Sequence, residues 1–380
     1  MRRPRYIEDS ARADLADRMV FVGGPRQVGK TTVALSLLGR GHDESSPAYL
    51  NWDDTANREQ IIAGRLPANQ PRVVFDEIHK FAAWRNLMKG FFDKNRSSVS
   101  FVVTGSARLD YYRKGGYSLQ GRYHYYRLHP FSVMECGRQP DRALVEQLLR
   151  YGGFPEPFLK ADDRFHRRWK REHAARVIRE DLRDLERVRE VSLVELLVHH
   201  LPDCVGSPLS VNSLSRLLQV AQPTVEHWLT VLDRLYVSYR IPPFGAKRIR
   251  AVRKEKKLYF WDWSRVENPG ARFENMVAGH LLKYCHFVED TEGDDMELRF
   301  IRDTDKREVD FVVQRNGKAE FAVECKSGDR EASPACRYFR ERTDIPRFYQ
   351  VHLGTGDFGN ADSGTRVLPF ATFCRELALP

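Results

Sequence analysis

Residues 20–32, Val20-Phe21-Val22-Gly23-Gly24-Pro25-Arg26-Gln27-Val28-Gly29-Lys30-Thr31-Thr32, constrain this chain more than any other stretch. The apolar run Met19 to Val22 reads as a buried strand. Val33, Ala34, Leu35, Leu37 and Leu38 read as the helix that follows. Between them, Gly24 to Thr31 fits G-x-x-x-x-G-K-[ST] with no departure, and strand, glycine loop and helix is the context that pattern needs. Gly24 and Gly29 let the backbone turn so that N–H groups point inward. The helix start adds its positive dipole end. Such a loop cradles phosphates. Gly24, Pro25, Arg26, Gln27, Val28, Gly29 and Thr32 supply the cradle, Lys30 reaches the β- and γ-phosphates, and the Thr31 hydroxyl ligates Mg²⁺. The expected cofactors are ATP and Mg²⁺.

About 45 residues on, Val73-Val74-Phe75 end in Asp76-Glu77, a Walker B pattern at a strand's C-terminal end. Asp76 is expected to hold Mg²⁺ through water, and Glu77 to polarise the attacking water. Other strands are expected at 48–51, 100–104 and 123–128. A helix over 82–94 turns Trp84, Leu87, Met88, Phe91 and Phe92 into the core. Ser106, at the tip of the strand 100–104, is the candidate γ-phosphate sensor. Arg122 precedes the strand 123–128 and is the candidate arginine finger, reaching a neighbour's nucleotide in a ring; Arg108 and Arg113 compete for that role. Alternating strands and helices with phosphate loops at strand ends make an α/β, doubly wound parallel sheet. The order of Walker A, Walker B and sensor resembles the AAA-type ATPases.

Residues 130–190 read as a helical lid. Within it Tyr151-Gly152-Gly153-Phe154-Pro155-Glu156-Pro157 forms a tight turn, with Pro155 placed to lie flat against an adenine ring. The charge run with Arg167, Arg168, Lys170 and Arg171 reads as a solvated face. Residues 191–262 read as a winged helix: helix 213–218, turn 219–222, helix 223–235 and wing strands 236–241 and 257–261. Between the strands lie Lys247, Arg248, Arg250, Arg253, Lys254, Lys256 and Lys257, opposed only by Glu255. This is either a clamp on a phosphate backbone or a solvated hairpin on a protein-binding module.

Residues 263–380 carry a second signature. A helix over 272–284 bears Glu274, and strands are expected at 296–302, 308–313, 320–326 and 347–352. Asp310 lies on the second strand. Glu324 and Lys326 lie on the third, at i and i+2, and share a face. Carboxylates and a lysine on adjacent strands can hold a divalent metal, so Glu274, Asp310, Glu324 and Lys326 form a candidate second metal site. The hairpin sets a condition. A two-residue Asn316-Gly317 turn with an unbroken ladder puts Asp310 and Glu324 on opposite faces, so the site requires a three-residue loop or a bulge.

The length suggests two to three domains, and 42 % apolar with 30 % charged residues indicates a globular chain. A net charge of +10 favours an anionic partner, nucleic acid before membrane. Six scattered cysteines without a C-x-x-C pair fit a reducing compartment. No apolar run follows the basic N-terminus and none is long enough to span a membrane, so no membrane association and a cytoplasmic location are expected.

The stretches Gly24–Thr32, Phe75–Ile78, Thr104–Ser106, Gly121-Arg122, Gly152–Glu156, Phe273–Asn275, Glu308–Phe311 and Glu324–Ser327 together resemble a prokaryotic family of AAA-type ATPases related to the signal-transduction (STAND) group. The resemblance implies a P-loop core (1–129), lid (130–190), winged helix (191–262) and a restriction-endonuclease-like PD-(D/E)xK domain (263–380). It places Pro155 at the nucleotide base. Cys325 departs from the family's usual aliphatic residue. The reading is an oligomeric, ring-forming MgATP hydrolase that remodels DNA, branched forms included, in repair or recombination. Its alternatives are an ATP-regulated, metal-dependent DNA nuclease and a nucleotide-gated signalling scaffold.

Overall fold

The computed structural model describes residues 3–105, 119–137, 139–177, 190–245, 255–329 and 331–380. Ser106, Arg108, Arg113, Lys247, Arg248, Arg250, Arg253 and Lys254 lie outside the described residues. The chain divides into two units, residues 1–129 and 130–380.

The first unit is built on five parallel strands: β1 (Met19–Gly23), β2 (Tyr49–Asn51), β3 (Arg72–Asp76), β4 (Ser100–Thr104) and β5 (Tyr123–Arg127). Their spatial order is β2-β3-β4-β1-β5. Val20-Phe21-Val22, Val73-Val74-Phe75 and Phe101-Val102-Val103 are all buried, as continuous apolar strands covered on both faces must be. The helix Trp84–Asn95 turns Trp84, Met88, Phe91 and Phe92 into the core against Phe75 and Phe101. β4 lies between β1 and β3, with Val22 opposite Thr104 and Asp76 also opposite Thr104. This register brings the ends of three strands to one edge of the sheet.

The second unit opens with the helices Val133–Cys136, Arg142–Tyr151, Pro155–Lys160 and Asp163–Arg176. The turn at Gly152-Gly153 requires glycine: Gly152 has φ +76°, and a Cβ on Gly153 would lie 2.6 Å from both the Phe131 carbonyl oxygen and the Trp263 ring. Next come the helices Val191–His200, Val211–Leu218 and Gln222–Arg234, the last with a proline in its first turn. Gln219, left-handed at φ 53°, turns the chain between the last two. They precede the antiparallel pair β6 (Ser238–Ile241) and β7 (Lys257–Phe260).

The C-terminal sheet has five strands: β8 (Met296–Arg302), β9 (Glu308–Arg315), β10 (Lys318–Cys325), β11 (Phe348–His352) and β12 (Thr365–Pro369), in the order β12-β11-β10-β9-β8. β8, β9 and β10 are antiparallel neighbours; β11 and β12 run parallel to β10. The helix Pro269–Glu292, longer at both ends than expected, packs across β8, β9 and β10. Past β12 the chain forms the helix Phe370–Glu376.

The β9–β10 turn is the two-residue kind, with Asn316 at φ 51° and Gly317 at φ 76° pairing Arg315 with Lys318. The ladder then slips at Glu320, and Phe321 faces Val313 while Val323 faces Phe311. Of the two routes to a shared face, the chain takes the bulge. Continued by one residue, this register puts Glu324 opposite Asp310, on a shared face.

Candidate functional site

In the first unit the loop after β1 has Gly24 at φ 144° and Gly29 at φ 98°. A Cβ on Gly24 would lie 2.4 Å from the Leu128 carbonyl oxygen, so that position also needs glycine for space. Gly29 caps the helix Lys30–Leu38, whose free N–H groups begin at the loop. Lys30 is buried, and its ammonium donates to the carbonyls of Gly24 (3.1 Å) and Pro25 (2.7 Å). The lysine thus folds back over its own loop.

Asp76 ends β3 and is buried. Three hydroxyls donate to it: Thr31 (2.9 Å) and Tyr49 (2.6 Å) to one carboxylate oxygen, and Thr104 to the other. The Thr31 contact joins the two motifs that the sequence separates by 45 positions. Burial first, then Asp76, push the Tyr49 hydroxyl well above its ordinary pKa, so it stays a donor. Tyr49 and Thr104 were not anticipated; both lie on strands beside β3, in register with it.

Glu77 has a left-handed backbone, φ 55° and ψ 18°. Its N–H donates to the Thr104 carbonyl, and its carboxylate lies 3.4 Å from the Lys80 ammonium. Burial raises its pKa, against the pull of Lys30 and Lys80. Lys80 also reaches Asp53, at 2.5 Å.

Arg122 stands beside the start of β1, its carbonyl accepting from Met19 N–H. That is the end of the sheet opposite the phosphate loop. Its exposed guanidinium chelates Asp93 through Nε (2.7 Å) and Nη2 (3.1 Å). Pro155 belongs to the second unit, in the first turn of the helix Pro155–Lys160.

The second unit holds a carboxylate cluster beside a cavity of about 660 Å³ lined in part by Glu274, Glu308, Asp310, Glu324, Lys326 and Tyr338. Its centre is a residue that the sequence reading assigned to the basic wing. Lys257 is fully buried, and its ammonium lies 3.0 Å from Glu274, 2.5 Å from Glu308 and 3.2 Å from Asp310. Lys257 is therefore not a wing residue free to meet phosphate; its neighbour Lys256 is exposed. Strand alternation carries the hint: Lys257 shares a face with the buried Tyr259, and Glu308 shares one with Asp310. Tyr259 donates to Glu274 at 2.7 Å, and Cys325 N–H donates to Asp310 at 2.9 Å. Lys326 pairs with Glu324 at 2.7 Å. The other Glu324 oxygen is buried without a hydrogen-bond partner.

Burial works against the Lys257 charge, but the three carboxylates outweigh it and raise its pKa. Burial and then Asp310 push Glu274 up to about 7, with Lys257 opposing. The same two causes push Glu324 up to about 8, with Lys326 opposing. Asp310, Glu324, Glu274 and Lys326 do meet around one cavity. As they stand they do not fit the divalent cation that the resemblance implies. Among the described residues no group of three or more His, Cys, Asp or Glu side chains is gathered to hold a metal ion. The physical reason is the ammonium already placed among the acids.

Residues 16–137 match the family described as AAA domain. Residues 142–266 and 269–373 match two domains of unknown function, DUF8612 and DUF4143. An uncharacterized protein of Mycobacterium tuberculosis is 24 % identical over 245 residues, covering 64 % of this chain and 54 % of the relative. The chain thus spans about half the length of that mycobacterial relative. An uncharacterized protein of Methanocaldococcus jannaschii is 20 % identical over 347 residues, covering 81 % and 75 %. Among solved structures, the Aeropyrum pernix ORC1 protein in complex with DNA aligns at 16 % identity and TM-score 0.35, covering 72 % of this chain and 94 % of that one. The Thermotoga maritima RuvB Holliday junction branch migration motor aligns at 17 % and 0.30, covering 62 % and 86 %. The AAA-domain match and the loop geometry together support an AAA-type P-loop unit in this part of the chain. Among the described residues no helix is long and apolar enough to cross a membrane.

Proposed function

We propose that this protein is an oligomeric, Mg²⁺-dependent ATPase whose second unit engages DNA. The observation that carries the reading is the meeting of the Thr31 hydroxyl and the Asp76 carboxylate at 2.9 Å, beside a glycine loop that ends in a buried lysine. Both groups offer hard oxygen donors, which suit Mg²⁺. The ion, when bound, neutralises charge developing on the phosphates. Lys30 leaves its two loop carbonyls for the β- and γ-phosphates. Glu77 orients the attacking water and draws off its proton. Ser106 reads the γ-phosphate, Pro155 covers the base, and Arg122 exchanges Asp93 for a neighbouring subunit's nucleotide.

The DNA half rests on the net charge of +10 and on the basic run Lys247, Arg248, Arg250, Arg253 and Lys254 of a winged helix. One observation favours the signalling-scaffold reading instead. The helix Gln222–Arg234 exposes Glu226, which Arg240 holds at 2.5 Å, so its outer face is not strongly cationic. The test is ATP hydrolysis with and without linear, branched and single-stranded DNA, beside Lys30→Ala and a Glu77→Gln trap. Hydrolysis lost in Lys30→Ala and stimulated by DNA, with binding that weakens steeply in salt, is the expected result. Protein that neither retains nor consumes MgATP overturns the ATPase reading. Absent or salt-insensitive DNA binding overturns the DNA half and favours a protein partner.

A further inference from the structure

The carboxylate cluster of the C-terminal sheet is latched by a residue from outside that sheet. Lys257 opens β7, and the segment Pro242–Phe244 that follows its partner strand β6 is seated on β8 by hydrogen bonds. Phe244 N–H donates to Phe300 O at 2.6 Å, Phe300 N–H donates to Pro242 O at 3.2 Å, and Arg299 Nη1 donates to Pro243 O at 3.1 Å. We infer that the Lys257 ammonium occupies the cation position of this cluster and keeps it closed to divalent metal ions, so that a latent metal site opens only when Lys257 is withdrawn.

The donors show why. Asp310 spends one oxygen on Lys257 and the other on the N–H of Cys325. Glu274 Oε1 takes both Lys257 and Tyr259. Glu308 is divided between Lys257 and Arg302, the latter at 2.7 Å. Glu324 Oε1 takes Lys326 and, at 3.4 Å, Ser333. A metal ion entering here must displace an ammonium that three carboxylates hold. Glu324 Oε2 takes neither of these donors. It is a buried acid oxygen with no hydrogen-bond partner, one residue beyond the Val323–Phe311 pair on the strand beside Asp310, and so the ligand atom left over for an ion. With Lys257 gone, Asp310, Glu274, Glu308 and Glu324 offer one position of hard oxygen donors, which suits Mg²⁺ or Mn²⁺.

The inference does not depend on ATP turnover. The full chain, free of nucleotide, is titrated with Mn²⁺, and bound ion is counted by loss of the free-ion paramagnetic signal. Four proteins are compared: wild type, Glu324→Gln, Lys257→Met and Lys257→Met/Glu324→Gln. Any ion at the P-loop is common to all and cancels. Wild type and Glu324→Gln are expected to bind the same number of ions. Lys257→Met is expected to bind one more, at least tenfold tighter than the double variant. Lys257→Arg, which keeps the charge, is expected to bind none extra. If wild type holds one ion more than Glu324→Gln, the cluster is already a metal site and the inference fails; this arm needs no Lys257 variant to fold. A folded Lys257→Met that gains no ion also overturns it.

Discussion

Two of the molecule's buried lysines are held in opposite ways. Lys30 rests on two carbonyl oxygens of its own loop, at 3.1 and 2.7 Å. Lys257 is held by three carboxylates at 2.5 to 3.2 Å. A carbonyl is a dipole, and a phosphate outbids it because charge-assisted hydrogen bonds are the stronger kind. Three carboxylates leave nothing for a ligand to outbid. The same side chain is therefore poised in one unit and locked in the other. Its role follows from the charge of its partners and not from its burial.

The largest expected effect tests the poised lysine. Lys30→Met should lower ATP hydrolysis by about 100-fold or more, the scale of losing a donor to transition-state charge. Its urea midpoint should move less than that of Lys257→Met, because the groups that Lys30 hydrogen-bonds, the Gly24 and Pro25 carbonyls, are neutral. Lys257→Met should show the reverse. Removing one partner of a buried ion pair costs about 3–5 kcal/mol, because uncompensated charge is left behind. ATP hydrolysis per folded molecule should stay near wild type. Mn²⁺ should recover part of the lost stability in Lys257→Met and none in wild type, read as a shift in melting temperature. If both variants lose activity and both keep their stability, the contrast between the two lysines is broken.

Smaller, but diagnostic, is the pH dependence of the locked cluster. Glu324, with a folded pKa near 8, keeps a proton that the unfolded chain releases at its ordinary value of 4.5. The folded state binds more protons between those values, so the stability Glu324 contributes is present at low pH and lost as pH rises through about 8. Glu274, near 7, adds a slope of the same sign. Between pH 5.5 and 8.5 the urea midpoint of wild type should therefore fall more than that of Glu324→Gln. Parallel profiles would mean that Glu324 is ionised throughout and that the cluster carries its full negative charge.

The two sites were unequally legible in the sequence. The phosphate loop is contiguous: residues 24 to 31 and one strand–helix junction specify it, and periodicity supplies the rest of the parallel sheet. Thr31 and Asp76 meet because one opens the helix behind the phosphate loop and the other ends a strand of the same sheet, which local pattern predicts. The carboxylate cluster depends on long-range events. Asn316-Gly317 correctly signals a tight turn, yet the shared face of Asp310 and Glu324 comes from a slip at Glu320, which no turn residue announces. Lys257 closes a basic run, and charge patterning naturally assigns it to solvent. Only its place at the head of the strand Lys257–Phe260, two residues before a buried tyrosine, sets it apart. Tyr49 is hidden for a related reason: it reaches Asp76 across neighbouring strands, and inter-strand register is not written in either strand alone.

Tyr49 also offers the smallest effect. Asp76 takes its three hydroxyls from β2, β4 and the helix behind the loop, and the Tyr49 and Thr31 hydroxyls share one oxygen. Tyr49→Phe keeps the buried ring and removes one donor, a loss of about 1 kcal/mol in carboxylate positioning. The Mg²⁺ concentration for half-maximal hydrolysis should rise severalfold, with little change in turnover at saturating Mg²⁺. Because burial and Asp76 keep the hydroxyl protonated, the shift should be the same at pH 7 and pH 9. A fall in the Mg²⁺ requirement would show that Tyr49 competes with the ion for Asp76. Asp76 would then be partly locked, as Asp310 is, and the two halves of the molecule would differ in degree and not in kind.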